Sequence, residues 1–496
     1  MNIHHLHTAD DAQPLTYLGY PLIQSAPQRN YFVTSLIATL KRAVQTHSCR
    51  SLSCWYVFRV TPLTFHDLQQ ITSVAIQYLK QGIFPVIPWS TWTLPRHKGG
   101  LGVLDVKLQY AALYFRWVQP VLQMDTSTLL SNPLLTMLSY HITNHNGFHP
   151  PQLPLLLPLA RKQLTRKRRV TTIDMLYRAI DMLPRDYDSV AINHATGLSL
   201  PLATIMYRVS PSSYRLPQKL KAMAVSDVFQ LHSSGQFLHW KDTADPSLLL
   251  WKQAPRQLFR GIESGDLKLQ PFFLPLCNPN AVTDTTSTSV SLRPFIQKLL
   301  PMNATNRSPM QSHSKTFRQA CSSLLVVPSH LRAINSSAWT FFWSLSLTMI
   351  QRNVIYRFIN NCIPHLSLLH RIFPDRHSSD ICVVCSSASD TLDHFLFRCP
   401  NKALVWQGII FEFLWPTVTI EDICHSILSF NFYNIRYSQM PRAPSHLIVM
   451  ITLANIWRAH YRFVFNQKAF ETAAVLNSIR LDISKMIDED QVHASL

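Results

Sequence analysis

Residues 382–406 read CVVCSSASDTLDHFLFRCPNKALVW. Two residues lie between Cys382 and Cys385, eight between Cys385 and His394, and four between His394 and Cys399. The first spacing lets a tight turn aim two thiolates at one ion. The last lets a histidine and a cysteine, with Phe395 and Phe397 between them, converge over one helical turn or a short turn of chain. Zinc accepts such a Cys3His set in a tetrahedron, with Zn–S near ~2.3 Å and Zn–N near ~2.0 Å. All four positions are then filled and none is left for a reactive water, so the expected ion is structural. Such a centre carries a net charge of about −1. Arg371, Arg376 and Arg398 are the cations near in sequence that are expected to balance it.

Around this loop the apolar spacing is helical. Trp339, Trp343 and Leu347 recur every fourth position beside Phe342 and Leu345, and Leu476, Ile479, Ile483 and Ile487 share a face near the end of the chain. Toward the start, Phe32, Leu36, Leu40 and Val44 form one stripe, Leu68, Ile71, Ala75 and Leu79 a second, and Leu108, Ala112, Phe115 and Val118 a third. Between 121 and 335 the pattern weakens, with prolines crowded at 150–158 and Ser/Thr-rich runs at 283–291 and 303–316 that read as linkers. A helix is still expected over Ile173–Leu183, with Ile173, Leu176, Tyr177 and Ile180 on one face. The expected fold is mainly α: a helical domain at 12–120, an irregular basic middle region at 121–335, a small zinc-stapled domain at 336–415 and a helical extension at 416–496.

A chain of 496 residues with 47% hydrophobic residues can bury more than one core. Lys and Arg number 46 against 27 Asp and Glu, a formal charge of +19 that attracts polyanions, so RNA or DNA is the favoured partner. The densest positive run is Arg166-Lys167-Arg168-Arg169, with Arg161 and Lys162 before it. Cations at a helix start oppose the helix dipole, which leaves a phosphate-contacting patch, a nuclear-import signal or a solvated loop as readings of that run. The 11 glycines form no Gly-rich phosphate loop. Cys49, Cys54, Cys277, Cys321, Cys362 and Cys424 sit in or beside apolar segments and read as small core hydrophobes. His4, His5 and His7 read as a solvated tail. The opening residues lack a secretory signal, and the apolar runs at 339–350 and 447–457 fall short of the ~20 residues of a membrane span. Nucleus or cytoplasm is the expected location.

Ser387 to Trp406, after the CVVC pair, resembles the zinc-binding domain at the C-terminal end of non-LTR (LINE-like) retrotransposon reverse transcriptases. The likeness extends upstream through Trp339, Trp343 and RFINNCIP at 357–364, and downstream to IWRAH at 456–460. Independently, TYLGYPL at 16–22 is similar to the step that follows the palm in those enzymes, and 95–117, with Lys98-Gly99-Gly100-Leu101-Gly102, to their post-palm segment. The resemblance covers about half the chain and implies a thumb-like N-terminal domain. It also implies a palm that this chain lacks. Family polymerases hold magnesium on paired aspartates behind a hydrophobic strand, whereas the adjacent pair here, Asp10-Asp11, stands in TADDA only a few residues before the YLG step. A family-type nuclease is disfavoured too, because Glu412, Glu421 and Asp422 lack a Pro-Asp step.

The function expected is therefore a non-catalytic, zinc-containing nucleic-acid-binding remnant of such a polyprotein. The alternatives are half of a split polymerase that needs a separate palm-bearing polypeptide, and a zinc-stapled protein-interaction module.

Overall fold

The computed structural model describes the chain except for residues 1–7, 18–19, 46–53, 81–83, 124–126, 128–130, 147–149, 162–170, 210–222, 243–244, 246–253, 281–288, 301–313, 323–324 and 496. The described residues are mainly helical, with strands only in three short antiparallel pairs. No described helix is long and apolar enough to cross a membrane. The chain divides into two units that interleave in sequence, Met1–Val74 with Asp105–Leu324, and Ala75–Leu104 with Leu325–Leu496. The expected stretch 12–120 thus contributes to both.

The first unit is built on the helix Val106–Gln123, which is buried on nearly every side from Gln109 to Phe115 and again at Val118, Val121 and Leu122. A helix apolar all round belongs in a core. The Tyr110 hydroxyl donates to the Thr61 carbonyl at 2.9 Å and accepts from the Leu63 amide at 2.8 Å, tying the preceding loop to this helix. Packed against it is Thr172–Ile180, whose start is fixed by a reciprocal capping box between Thr171 and Asp174. Leu176, Tyr177 and Ile180 are buried there, as their shared face requires.

The proline-rich stretch near 150 is ordered. It forms the short helical turns Leu153–Leu156 and Pro158–Ala160 and buries Leu153, Leu155, Leu156 and Ala160. In the helix Ala26–Gln45 the buried face is Val33, Ile37 and Leu40, with Phe32 and Leu36 only half-buried. A strict four-residue step drifts around a 3.6-residue helix, so the expected stripe runs along the edge of the real one.

The second unit is centred on Ser445–Asn466, buried continuously from Leu447 to Ile456. Met349–Ile359, Pro400–Phe413 and Thr472–Ser495 pack around it. Residues of the 84–104 stretch complete this unit: Arg357 donates to the carbonyls of Phe84 and Pro85 at 3.2 and 3.0 Å, and the Tyr356 hydroxyl to the Gly99 carbonyl at 2.9 Å. Gly99 sits at φ +86, where a Cβ would stand 2.8 Å from the Trp339 ring. At Gly100 a Cβ would lie 1.9 Å from the Leu94 carbonyl oxygen, so only glycine fits there.

Candidate metal centre

Cys382 opens a narrow hairpin in which Ile381 bridges Ser389 and the Cys382 amide donates to the Ala388 carbonyl at 2.8 Å. The chain reverses through Ser386, which adopts the left-handed conformation at φ 52 and returns its amide to the Cys382 carbonyl at 2.8 Å. The Val384 and Cys385 amides point at the Cys382 sulfur, and the Lys402 amide at that of Cys399. Backbone N–H groups aimed at sulfur favour the thiolate.

His394 and Cys399 come together through one π-helical turn, His394–Arg398. The Cys399 amide donates to the His394 carbonyl at 3.0 Å, five residues back. In a regular α-helix residues five apart stand about 140° apart and cannot share an ion. The wider turn brings them to one side. It also strips the next carbonyls of helical partners, and the following helix replaces them: Lys402 Nζ donates to the Phe395 carbonyl at 2.6 Å, and Trp406 Nε1 to that of Leu396 at 2.9 Å. Pro400 opens that helix, where an amide hydrogen is not needed.

The result is a convergent set. One donor atom from each of Cys382, Cys385, His394 and Cys399 lies within 4.8 Å of every other, close enough to hold one metal ion. Cys385 Sγ is 3.3 Å from His394 Nε2 and accepts from the Ser387 hydroxyl at 3.2 Å. Cys382 and Cys399 are wholly buried, and His394 is nearly so. A hydrogen bond between Cys382 and Cys399 holds the Cys382 thiol above its ordinary value, with burial adding to this, and holds Cys399 below it, with Lys402 adding there. The donor set suits zinc, and binding would displace the proton the two sulfurs share.

Lys402 was not singled out by sequence. It has no exposed surface, its Nζ lies 4.4 Å from the Phe395 ring centre, and burial lowers its pKa against the pull of Asp390 and the three cysteines. This buried cation interacts electrostatically with the three cysteines, whereas Arg398 turns outward to Glu421 at 2.7 Å and Asp393 at 3.2 Å. Asp390, also wholly buried, accepts the Leu366 amide at 3.0 Å through its carboxylate and His365 Nδ1 at 2.9 Å through its carbonyl, which joins the helix Leu366–Ile372 to the metal loop. The signal for Lys402 and Trp406 was present as C-P-x-K-x-x-x-W at 399–406, two donors four residues apart behind a helix-opening proline.

Arg166, Lys167, Arg168 and Arg169 lie outside the described residues. Arg161, next to that run, is engaged within the fold: its guanidinium grips Asp181 with bonds of 2.7 and 2.8 Å and stacks 4.0 Å from the Tyr177 ring centre. Asp11 accepts the Thr8 amide at 2.6 Å, a local turn contact. No protein-family model matches the chain, and no curated protein matches it either. The likeness to retrotransposon reverse transcriptases therefore rests on the residues quoted above.

Proposed function

We propose that this chain is a non-catalytic nucleic-acid-binding protein whose second unit is stapled by one structural zinc, a remnant of the C-terminal part of a LINE-like reverse transcriptase. The observation that carries the reading is the convergence of Cys382, Cys385, His394 and Cys399 on one point, with three of the four donors buried. Four protein donors leave no open position, so the ion holds the fold and activates no water. The excess of +19 supplies the second half: a field that draws phosphate and releases counterions on contact.

Two measurements test it. Elemental analysis of the purified full chain should return one zinc per molecule. Binding to duplex DNA or single-stranded RNA should weaken linearly in log salt, with a slope of about −0.9 per duplex phosphate contacted. Replacing Arg166, Lys167, Arg168 and Arg169 by Gln should flatten that slope if the run touches phosphate. Absence of binding at low salt by the zinc-loaded chain would remove the nucleic-acid reading in favour of a zinc-stapled interaction module. Copurification of a palm-bearing polypeptide would instead mark half of a split polymerase.

A further inference from the structure

In the second unit a cavity of ≈ 290 Å³ is lined by the helix Met349–Ile359 and by residues from 79 to 101, with Trp92, Trp343 and Tyr356 among its walls and Lys80, Arg352 and Arg357 its cations. Among the described residues no carboxylate lines it. Both arginines are fixed by neutral groups. Arg352 donates to the carbonyls of Trp343 and Leu345 at 2.8 and 2.7 Å, as Arg357 does to those of Phe84 and Pro85. A carbonyl positions a guanidinium but leaves its charge uncompensated. A third, exposed arginine, Arg96, lies 5.4 Å from the Trp343 ring centre, and Arg352 lies 5.9 Å from it.

The sequence around the cavity has the same character. In a chain with 27 acidic residues, neither 75–104 nor 325–374 contains an Asp or a Glu. The place thus joins aromatic walls to fixed positive charge without a counter-ion. Its volume is near the lower end of ligand cavities, suited to one flat ring and too small for a duplex.

We infer that this cavity receives one unstacked base of a single-stranded nucleic acid, with the flanking phosphates on Arg96, Arg352 and Lys80. The inference rests on the nucleic-acid reading and narrows it to a strand with a free base. Aromatic rings and guanidinium planes both stack on bases, and guanidinium groups free of carboxylates are matched to phosphate. Met349, 89% exposed, stands at the cavity and marks the side from which a strand enters.

The test uses the zinc-loaded full chain and fluorescence anisotropy with three labelled probes: oligo(dT), an abasic strand of equal length, and a blunt duplex. Oligo(dT) is expected to bind on the order of tenfold tighter than the abasic strand. Met349→Glu, at a solvent-exposed position, should erase that difference, and Arg96→Gln should weaken both strands alike, while zinc content and circular dichroism stay as in the parent. Equal binding of base-bearing and abasic strands by the parent chain, or a base preference that survives Met349→Glu, overturns the inference and leaves phosphate binding elsewhere. If none of the probes binds at low salt, the nucleic-acid reading fails with it.

Discussion

The side-chain nitrogen of Lys402 lies 3.0 Å from Nδ1 of His460, and neither residue has more than a trace of exposed surface. An ammonium group can only donate, so Nδ1 accepts and the ring proton sits on Nε2. His460 is thereby held neutral. Burial, with Lys402 adding to it, takes its pKa down to about 2.

Acid stability should carry the mark of that histidine. Its folded pKa lies below its unfolded value of 6.5, so the unfolded chain binds the extra proton first. The contribution is complete above pH 6.5 and is lost as pH falls from there toward 2, with a limiting slope of about 1.4 kcal/mol per pH unit for one group. Denaturant unfolding of the parent and of His460→Gln, compared at pH 7.5 and 5, should show the smaller loss in the variant. Equal losses would mean that His460 is protonated in the folded state.

Removing the neighbouring cation should loosen the metal. Lys402→Met leaves the Phe395 carbonyl without its donor and a centre of about −1 without its buried counter-charge. Zinc affinity, measured by competition with a chromophoric chelator, should fall by about 10–100-fold, the usual cost of losing an outer partner of a metal site. The parallel substitution Arg398→Met, at an exposed arginine, should leave it near the parent value. A larger effect at Arg398 would reverse the assignment of the two cations.

Cysteine substitutions should be sharper still. Cys385→Ser and Cys399→Ser should each abolish stoichiometric zinc, and a strong chelator should melt the second unit of the parent, since zinc contributes about 10–16 kcal/mol to folding in small zinc peptides. Full occupancy in both variants would show that the four residues hold no ion together.

At Gly100 the obstacle is backbone. A methyl group there meets the Leu94 carbonyl oxygen at 1.9 Å, and no side-chain rotation relieves it. Gly100→Ala should destabilise by about 2 kcal/mol or more. Gly235→Ala is the contrast: Gly235 sits at φ +71 with nothing within 4 Å of its added carbon, so it reports backbone strain alone, whereas Gly100 meets the clash without a positive φ. If the two cost the same, the close approach at Gly100 is not real.

The four converging donors were legible because cysteine and histidine are scarce and their spacing is constrained by geometry. Lys402 was not, since a lysine on a helix reads as solvated until the π turn behind it exposes a carbonyl to be met. Helix positions were legible from apolar recurrence, but their faces less so: Leu79, placed on a buried stripe, is 39% exposed, while Val74 is buried. The interleaving of the two units leaves no periodic signal at all. Only the glycine pair at 99–100 hints that something bulky lies close by, and the bulk proves to be Trp339 for the first of them. The acid-free stretches could have been counted from sequence, yet nothing in composition says that two of them meet.

Chain order gives that interleaving a temporal side. Residues 75–104 leave the ribosome roughly 220 residues before the first of their partners at 325. At about 5–20 residues per second this is a wait on the order of 10–45 s. During it Ile87, Trp92 and Leu94, which end up buried, have no core to enter. Nascent chains should therefore present this segment to chaperones and proteases until the second unit is made, and a product cut short before 325 would carry it permanently unpaired.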